Sequence, residues 1–427
     1  MLEPIDVPPR DQASVAPAVP GEGGLLAGGA ALAASSTVSN AIGALITIAL
    51  ARTFSGAQFG GLAALLSIAL VATVPATGLQ YVIARRTSEA ALARSAHDRT
   101  GLRYSVLLGV ALAVVLAAGS SVLSAFLGVP ALAIVVVGLT IIPYMINAAQ
   151  LGALLGASSY SRFAMAQFVL AATRLSAVVL ACASHASMTG VMLCLLMATW
   201  LTVLCCVRLT GLRTWTATLP ATTDFAREIA QATLALAGMS VVMNLDILLA
   251  RHYLSGDDSG TYALGALFAK AALWIAQFVP QLIFPRLARS FGQRPLLIRG
   301  IAADIAVGGA VLAIAVSGAR PMLDVVSGHA NPAAAARLAP LFAVLGTAWA
   351  LCYLLVLSSV AARNQVPARI LWVVVAAEAV AVALRWHHGA EEIVVTCIVG
   401  TVVLVVAAAA SALRANAATS SVKSAAA

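Results

Sequence analysis

From Gly24 to about position 413 the chain is a succession of apolar segments of roughly twenty residues, parted by short polar breaks. Each segment is long enough to cross about 30 Å of hydrocarbon as a helix. A helix satisfies all of its own backbone donors and acceptors, which lipid cannot do. Twelve spans follow, at 24–50, 60–83, 104–127, 131–156, 162–183, 189–208, 229–252, 260–284, 300–318, 338–362, 367–386 and 392–413. The fourth is interrupted by Pro143, Asn147 and Gln150. The expected class is an all-α polytopic membrane protein.

Composition agrees. Apolar residues make up 61% and charged residues 10%, against about a quarter charged in soluble domains. The net charge of +9 does not point to nucleic acid, because the bases are scattered between apolar runs. They report topology instead. With the amino terminus cytoplasmic, 18 of the 25 bases lie inside, five lie outside (Arg52, Arg251, Arg320, Arg337 and Arg385), and Arg174 and Lys270 lie within the membrane. Both termini are therefore expected in the cytoplasm. Residues 1–22, rich in proline, read as a disordered cytoplasmic tail rather than a signal peptide, and 414–427 as a second tail. Residues 211–228, with Pro220, read as a cytoplasmic linker between two groups of six helices, 23–210 and 229–413. A short interfacial helix is expected at Asp224–Glu228, capped by Thr222 or Thr223. The loop around Gly318–Arg337, with Pro321 and Pro332, reads as a turn or a partial re-entrant segment.

One stretch occurs twice. NLDILLARHYLSGDDSGTYALGALFAKAALWIAQFVPQLIFPRLAR, from Asn244 to Arg289, is outlined earlier by LARTFSGAQFGGLAALLSIALVATVPATGLQYVIARR, from Leu50 to Arg86. Ala51-Arg52 answers Ala250-Arg251 and Gly60 answers Gly260, at an offset near 200 with one gap in the turn. Two copies of one helical pair, each opening a half of the chain, suggest parallel repeats of the kind that build transporters.

Charge at membrane depth is costly, so each such group is a candidate site. Five fall within spans: Arg174, Asp246, Lys270, Asp304 and Glu378. In one reading they neutralise one another as structural pairs. In the other, Lys270 and Arg174 line a wet cavity and attract an anionic headgroup, while Asp246 or Glu378 binds a coupling cation, H⁺ or Na⁺. Lys270 and Arg174 favour the cavity, Asp246 is open between the two readings, and Glu378, set in VVVAAEAVAVAL, leans towards packing. Uncharged polar groups on the first, second, seventh and eighth helices, among them Asn40, Gln80, Asn244 and Gln277, offer hydrogen bonds to sugar hydroxyls. Pro75 and Pro280 mark kinks in corresponding helices.

Enzyme signals are missing. The six histidines form no metal-binding array, the six cysteines sit in or beside apolar runs without ligand spacing, and no GxxxxGK[ST] phosphate loop occurs. Gly256-Asp257-Asp258 and Glu391-Glu392 read as hydrated turns rather than cation or transferase motifs. No catalytic function, cofactor or bound metal is expected.

The segment ARTFSGAQFGGLAALLSIALVATVPATGLQYVIARR resembles the opening helical pair of polysaccharide-exporting flippases of the multidrug/oligosaccharidyl-lipid/polysaccharide (MOP) superfamily. In these an Ala-Arg, a turn closing on an aromatic and glycine, and an arginine-rich exit recur. NLDILLARHYLSGDDSGTYALGALFAKAALW with IFPRLAR resembles their seventh and eighth helices, with Ser259 in place of the aromatic. The resemblance carries over to Arg52, Gly60, Arg85, Asp246, Gly260, Tyr262, Pro285 and Arg286, mostly in structural roles. The first pair departs from the second, with Thr47 at the place of Asp246 and Leu70 at that of Lys270. The resemblance implies two six-helix lobes around a central cavity lined by helices one, two, seven and eight, worked by alternating access. It implies a bacterial cytoplasmic membrane and, as cargo, a polyprenyl-diphosphate-linked oligosaccharide for surface polysaccharide synthesis, with a polymerase or glycosyltransferases as partners. The alternative is a cation-coupled drug or small-metabolite antiporter of the same superfamily.

Overall fold

A computed structural model describes residues 22–92, 100–210, 223–277, 294–327, 331–361 and 366–425. All regular structure among them is helical: α1 (Glu22–Thr53), α2 (Gly56–Ala72), α3 (Val74–Leu92), α4 (Thr100–Ala118), α5 (Ser120–Leu127), α6 (Ala131–Gly156), α7 (Tyr160–Ala183) and α8 (Met188–Thr210) in the first half. The second half holds α9 (Thr223–Tyr253), α10 (Gly256–Ala276), α11 (Arg294–Ser317), α12 (Ala319–Val326), α13 (Pro332–Ala361), α14 (Val366–Leu384) and α15 (Ala390–Ala425). Eight spans among the described residues are long and apolar enough to cross a membrane, and a ninth is made by the bent pair α4–α5. The expected segments at 229–252, 260–284 and 367–386 are helical wherever they are described, and they carry Asp246, Lys270 and Glu378.

Two expected spans depart from a straight helix. The second is interrupted at the single residue Thr73 between α2 and α3, where Pro75 has no N–H to continue the ladder, and yet Gly56–Ser88 remains one span. The third bends by 56° at Gly119 between α4 and α5. The fourth, in contrast, is unbroken through Pro143. Its polar residues are buried against α8, where the Gln150 amide donates to the Val203 carbonyl at 3.2 Å and the Asn147 amide faces the Cys206 sulfur at 3.7 Å. Helix α9 starts at Thr223, so Asp224–Glu228 belongs to its first turns and continues into the span. Between Gly318 and Arg337 stands the short α12, followed by Asn331, whose side chain caps α13 by accepting from the N–H groups of Ala333 and Ala334 at 3.1 Å each. The tail at 1–21, most of the linker (211–222), and Pro280, Pro285 and Arg286 lie outside the described residues.

The repeat is exact in its turn. Ser55 caps α2 with φ/ψ of −60°/160°, and Ser255 caps α10 with −58°/160°. The Ser55 hydroxyl accepts from the N–H of Gln58 at 3.3 Å, and the Ser255 hydroxyl accepts from that of Asp258 at 3.2 Å. Phe54 N–H bonds Leu50 O, as Leu254 N–H bonds Ala250 O, both at 3.0 Å. Because the two polar turns are equally long, the capping serines set the register and no gap is needed. Arg251 therefore corresponds to Ala51 rather than Arg52, and Asp246 to Ile46 rather than Thr47, while Lys270 still corresponds to Leu70.

In the first half α1 packs on α7, α7 on α8, α8 on α6, and α6 on α3 and α4. In the second, α10 packs on α13, α13 on α11 and α15, and α14 on α9 and α15. The halves meet where α2 and α3 lie against α9 and α10. Two Gly-x-x-x-Gly runs cross there, Gly56 to Gly60 and Gly256 to Gly260. A Cβ on Gly260 would fall on the Gly56 carbonyl oxygen, and one on Gly60 would lie 2.9 Å from the Gly260 nitrogen. Only backbones without side chains approach so closely. Large apolar side chains such as Val122, Val316 and Leu384 point outward, the surface a bilayer covers.

Candidate functional site

A cavity of about 300 Å³ lies between the halves, walled mostly by the first: α1, α2, α6, α7 and α8, closed by α10. Lys270 from α10 and Arg174 from α7 both line it, and so does Asn40 from α1. Arg174 stands over the Tyr144 ring, 5.9 Å from the centroid. A flat guanidinium on an aromatic face keeps its position while leaving donors free for an anion.

Threonines supply the rest of the polar wall. The hydroxyls of Thr47, Thr140 and Thr199 donate to the carbonyls of Gly43, Val136 and Leu195 one turn back, at 3.0, 2.8 and 2.7 Å. Each hydrogen is committed to the helix, so each oxygen is left as an acceptor. The cavity thus offers two fixed cations and a set of hydroxyl acceptors, with the Trp274 ring beside them. That combination suits an anion attached to a polyhydroxylated body.

Three expected contacts are elsewhere. Asn244 donates to the Ser240 carbonyl of its own helix at 2.9 Å, Gln277 caps α10 through its backbone, and Gln80 sits on α3; none of them lines the cavity. Helix α9 contributes nothing to the wall, and α6, α7 and α8 take the place expected of it. Asp246, the charge at mid-depth on α9, is turned to Tyr262 and Glu378 of the second half, while the polar groups that α9 does turn to the first half, Glu228, Thr233 and Arg251, meet α3, Leu127, Gly128 and Ala57 rather than the cavity. Thr140, Tyr144, Thr199 and Trp274 were missed, because an isolated threonine or aromatic in an apolar run carries no sign of which side it will face.

Asp246 and Glu378 lie together inside the second half. Asp246 is fully buried, and its Oδ2 accepts from the Tyr262 hydroxyl at 3.3 Å, while its Oδ1 has no partner. Glu378 is 3% exposed and neither of its oxygens is bonded. Asp246 is within electrostatic reach of Lys270 on one side and Glu378 on the other. The described residues show no direct Asp246–Lys270 ion pair. Asp304, on α11, is buried with both oxygens unpartnered. Among the described residues no cluster of three His, Cys, Asp or Glu could hold a metal ion.

The two halves are tied to each other at both faces. At the face expected outside, one Arg251 guanidinium donates to the carbonyls of Leu127 (2.8 Å), Gly128 (3.1 Å) and Ala57 (3.1 Å), and to the Ser259 hydroxyl at 3.1 Å. Next to it the Ala57 N–H donates to Asp257 at 3.1 Å, and the His252 ring stacks on Phe126 at 3.8 Å. At the opposite face Arg85 and Arg86 of α3 bind Glu228 of α9 at 2.7 and 3.3 Å. Burial pushes the Glu228 carboxyl up, but the hydrogen bonds and charges of the two arginines outweigh it and leave the group below its ordinary value of 4.5.

The model of a family described as polysaccharide biosynthesis protein matches residues 25–291. A search of curated proteins finds no match. Among solved structures, the chain is similar to the inward-facing conformation of a multidrug resistance MATE family transporter of the MOP superfamily, at 12% identity over 90% of this chain and 95% of that one, with a TM-score of 0.71. It is similar to the lipid II flippase MurJ in an inward closed conformation, at 10% identity over 88% and 86% of the two chains and a TM-score of 0.69. A MOP superfamily transporter from Pyrococcus furiosus Vc1, described by the reverse polarity of its binding pocket, follows at 13% identity, 92% and 96% coverage, and a TM-score of 0.68. At these identities the likeness is one of fold.

Proposed function

We propose that this chain, which belongs to the polysaccharide biosynthesis protein family, moves polyprenyl-diphosphate-linked oligosaccharide units across a bacterial cytoplasmic membrane. That it is a polytopic flippase-type transporter of the MOP superfamily is supported by the family and the fold, the structural neighbours being described as transporters and a flippase. The observation that carries the finer reading is the convergence of Lys270, Arg174 and Asn40 on one cavity with threonine acceptors around them. Two cations meet the diphosphate, with Arg174 able to take two oxygens at once. Asn40 and the threonines meet the sugar hydroxyls, and the prenyl tail stays in lipid between the halves. A cavity of about 300 Å³ is at the small end of ligand sites and cannot enclose a unit of several sugars. Transport then requires the halves, read as lobes at 23–210 and 229–413, to part at one face and then at the other. Asp246 and Glu378 are the coupling acids: a cation bound there changes the field at Lys270, which ties cation movement to the grip on cargo. A drug-cation antiporter fits less well, since a cavity with two fixed positive charges repels such cargo.

The test is flipping of a fluorescent polyprenyl-diphosphate saccharide in proteoliposomes. Lys270→Ala and Arg174→Ala should each lose most of the rate, and Lys270→Arg should keep much of it. Normal flipping by both alanine variants would sink the headgroup assignment.

A further inference from the structure

A second cavity lies apart from the first. Between α14 and α15 a groove of about 690 Å³ opens on the surface of the second half, with walls that include Ala377, Ala381, Val395, Val399 and Val403. Glu378 lines it, and Trp386, Glu391 and Glu392 line it beside the α14–α15 turn. That turn is at the face expected outside. Glu378 lies six residues below Leu384, the end of α14, a depth of about 9 Å at 1.5 Å per residue. Gly400 of α15 faces it, and a Cβ there would fall on the carboxylate; the missing side chain is what lets the carboxyl lie flat against α15 at the groove. No residue lines both the groove and the cargo cavity.

We propose that the α14–α15 groove is the path by which a proton from the outer face reaches Glu378, separate from the path of the cargo. This rests on the coupling role given to Glu378 above. A proton suits the site better than a metal cation. Between the glutamates of the mouth and Glu378 the walls bring one polar side chain, Thr396, too few ligands to replace the shell of a hydrated ion, and the Glu378 oxygens have no bonded partners around them. A lone carboxylate charge in such surroundings is expensive, and a proton removes it without needing further oxygens. At the mouth, Glu391 and Glu392 raise the local concentration of cations, and His388 pairs with Glu392 at 3.5 Å. The groups facing Glu378 from neighbouring helices are Asp246 of α9, Tyr262 of α10, Cys352 of α13 and Cys397 of α15. Asp246 is the one that also reaches Lys270, so a proton taken up at the groove is felt in the cargo cavity through that acid.

The experiment uses the full chain in right-side-out proteoliposomes and dicyclohexylcarbodiimide, whose nitrogen takes the proton of a carboxyl in apolar surroundings while the carboxyl oxygen adds to its central carbon. Labelling of Glu378 is read by mass spectrometry while the pH of each face is varied in turn. Labelling should fall severalfold as the outer face is made alkaline and ignore the inner face. It should also fall severalfold in Val399→Trp and Val395→Trp, which fill the groove from exposed positions and leave the core packing alone. Labelling that follows the inner pH, or that neither tryptophan reduces, overturns the route. The coupling role is tested apart from it: if Glu378→Gln still lets a pH gradient drive cargo movement, that role fails even where the labelling follows the outer face.

Discussion

Replacing Arg251 by alanine should open the cavity towards the face expected outside. Three of its four hydrogen bonds cross from the second half to the first, and those to Leu127 and Ala57 are partly buried while that to Gly128 is exposed. An exposed bond exchanges with water at little net cost, so the two sheltered ones carry the effect, each contributing about 1–1.5 kcal/mol net. The closed arrangement then loses about 2–3 kcal/mol, a shift of roughly 30- to 150-fold in the balance of closed and open forms. The assay is alkylation of one cysteine placed at Ser39, on the cavity wall, in a chain whose six free cysteines have been replaced. A membrane-impermeant maleimide is applied from outside. If opening limits access, the rate rises by up to the factor given. Arg251→Lys should fall between, since an ammonium keeps the charge but cannot reach three carbonyls as a planar fork does. An unchanged rate in Arg251→Ala, or acceleration only from the other face, would refute the reasoning.

The opposite face answers to pH. The folded state holds the Glu228 carboxyl below 4.5, so its clasp with Arg85 and Arg86 is fully present above the ordinary carboxylate range and is lost as pH falls through the lowered value. Glu228→Gln should raise cysteine access from the cytoplasmic face at neutral pH, and its difference from the native chain should vanish in strong acid. The crossing of α2 and α10 tolerates no added atom: Gly260→Ala should cost about 1–3 kcal/mol of overpacking strain, seen as a lower thermal midpoint in detergent. Gly309→Ala, inside α11 with nothing within 4 Å of the new Cβ, should not lower the midpoint and should raise it slightly, since alanine is the better helix former by about 1 kcal/mol.

The span pattern and the doubled helical pair were legible because lipid imposes both. A hydrocarbon-length run must be helical, and a capping serine ahead of a small-residue crossing leaves the same local signature at Ser55 and Ser255. The breaks at Thr73 and Gly119 were less legible. Pro75 signals a kink but not its size, and the Gly119-Ser120 pair, whose serine hydroxyl donates to the Ala117 carbonyl at 2.7 Å, marks a weak point without fixing the bend at 56°. The unbroken α6 was obscured for the opposite reason. Asn147 and Gln150 look like interruptions until α8 supplies their partners.

The candidate site divides along the same line. Sequence alone determined that Lys270, Arg174, Asp246 and Glu378 had to be accounted for, since a charge at membrane depth is costly wherever the helix is turned. Which of them share a space was decided only by tertiary structure. Helix facing and neighbour choice put Lys270 and Arg174 in one cavity and Asp246 and Glu378 in the interior of the second half. The same packing turned Asn244 back onto its own helix and brought in Thr140, Thr199 and Trp274. The cost of burying a charge is local and can be read from one residue; the direction in which a helix points it is fixed by contacts with helices far away in the chain.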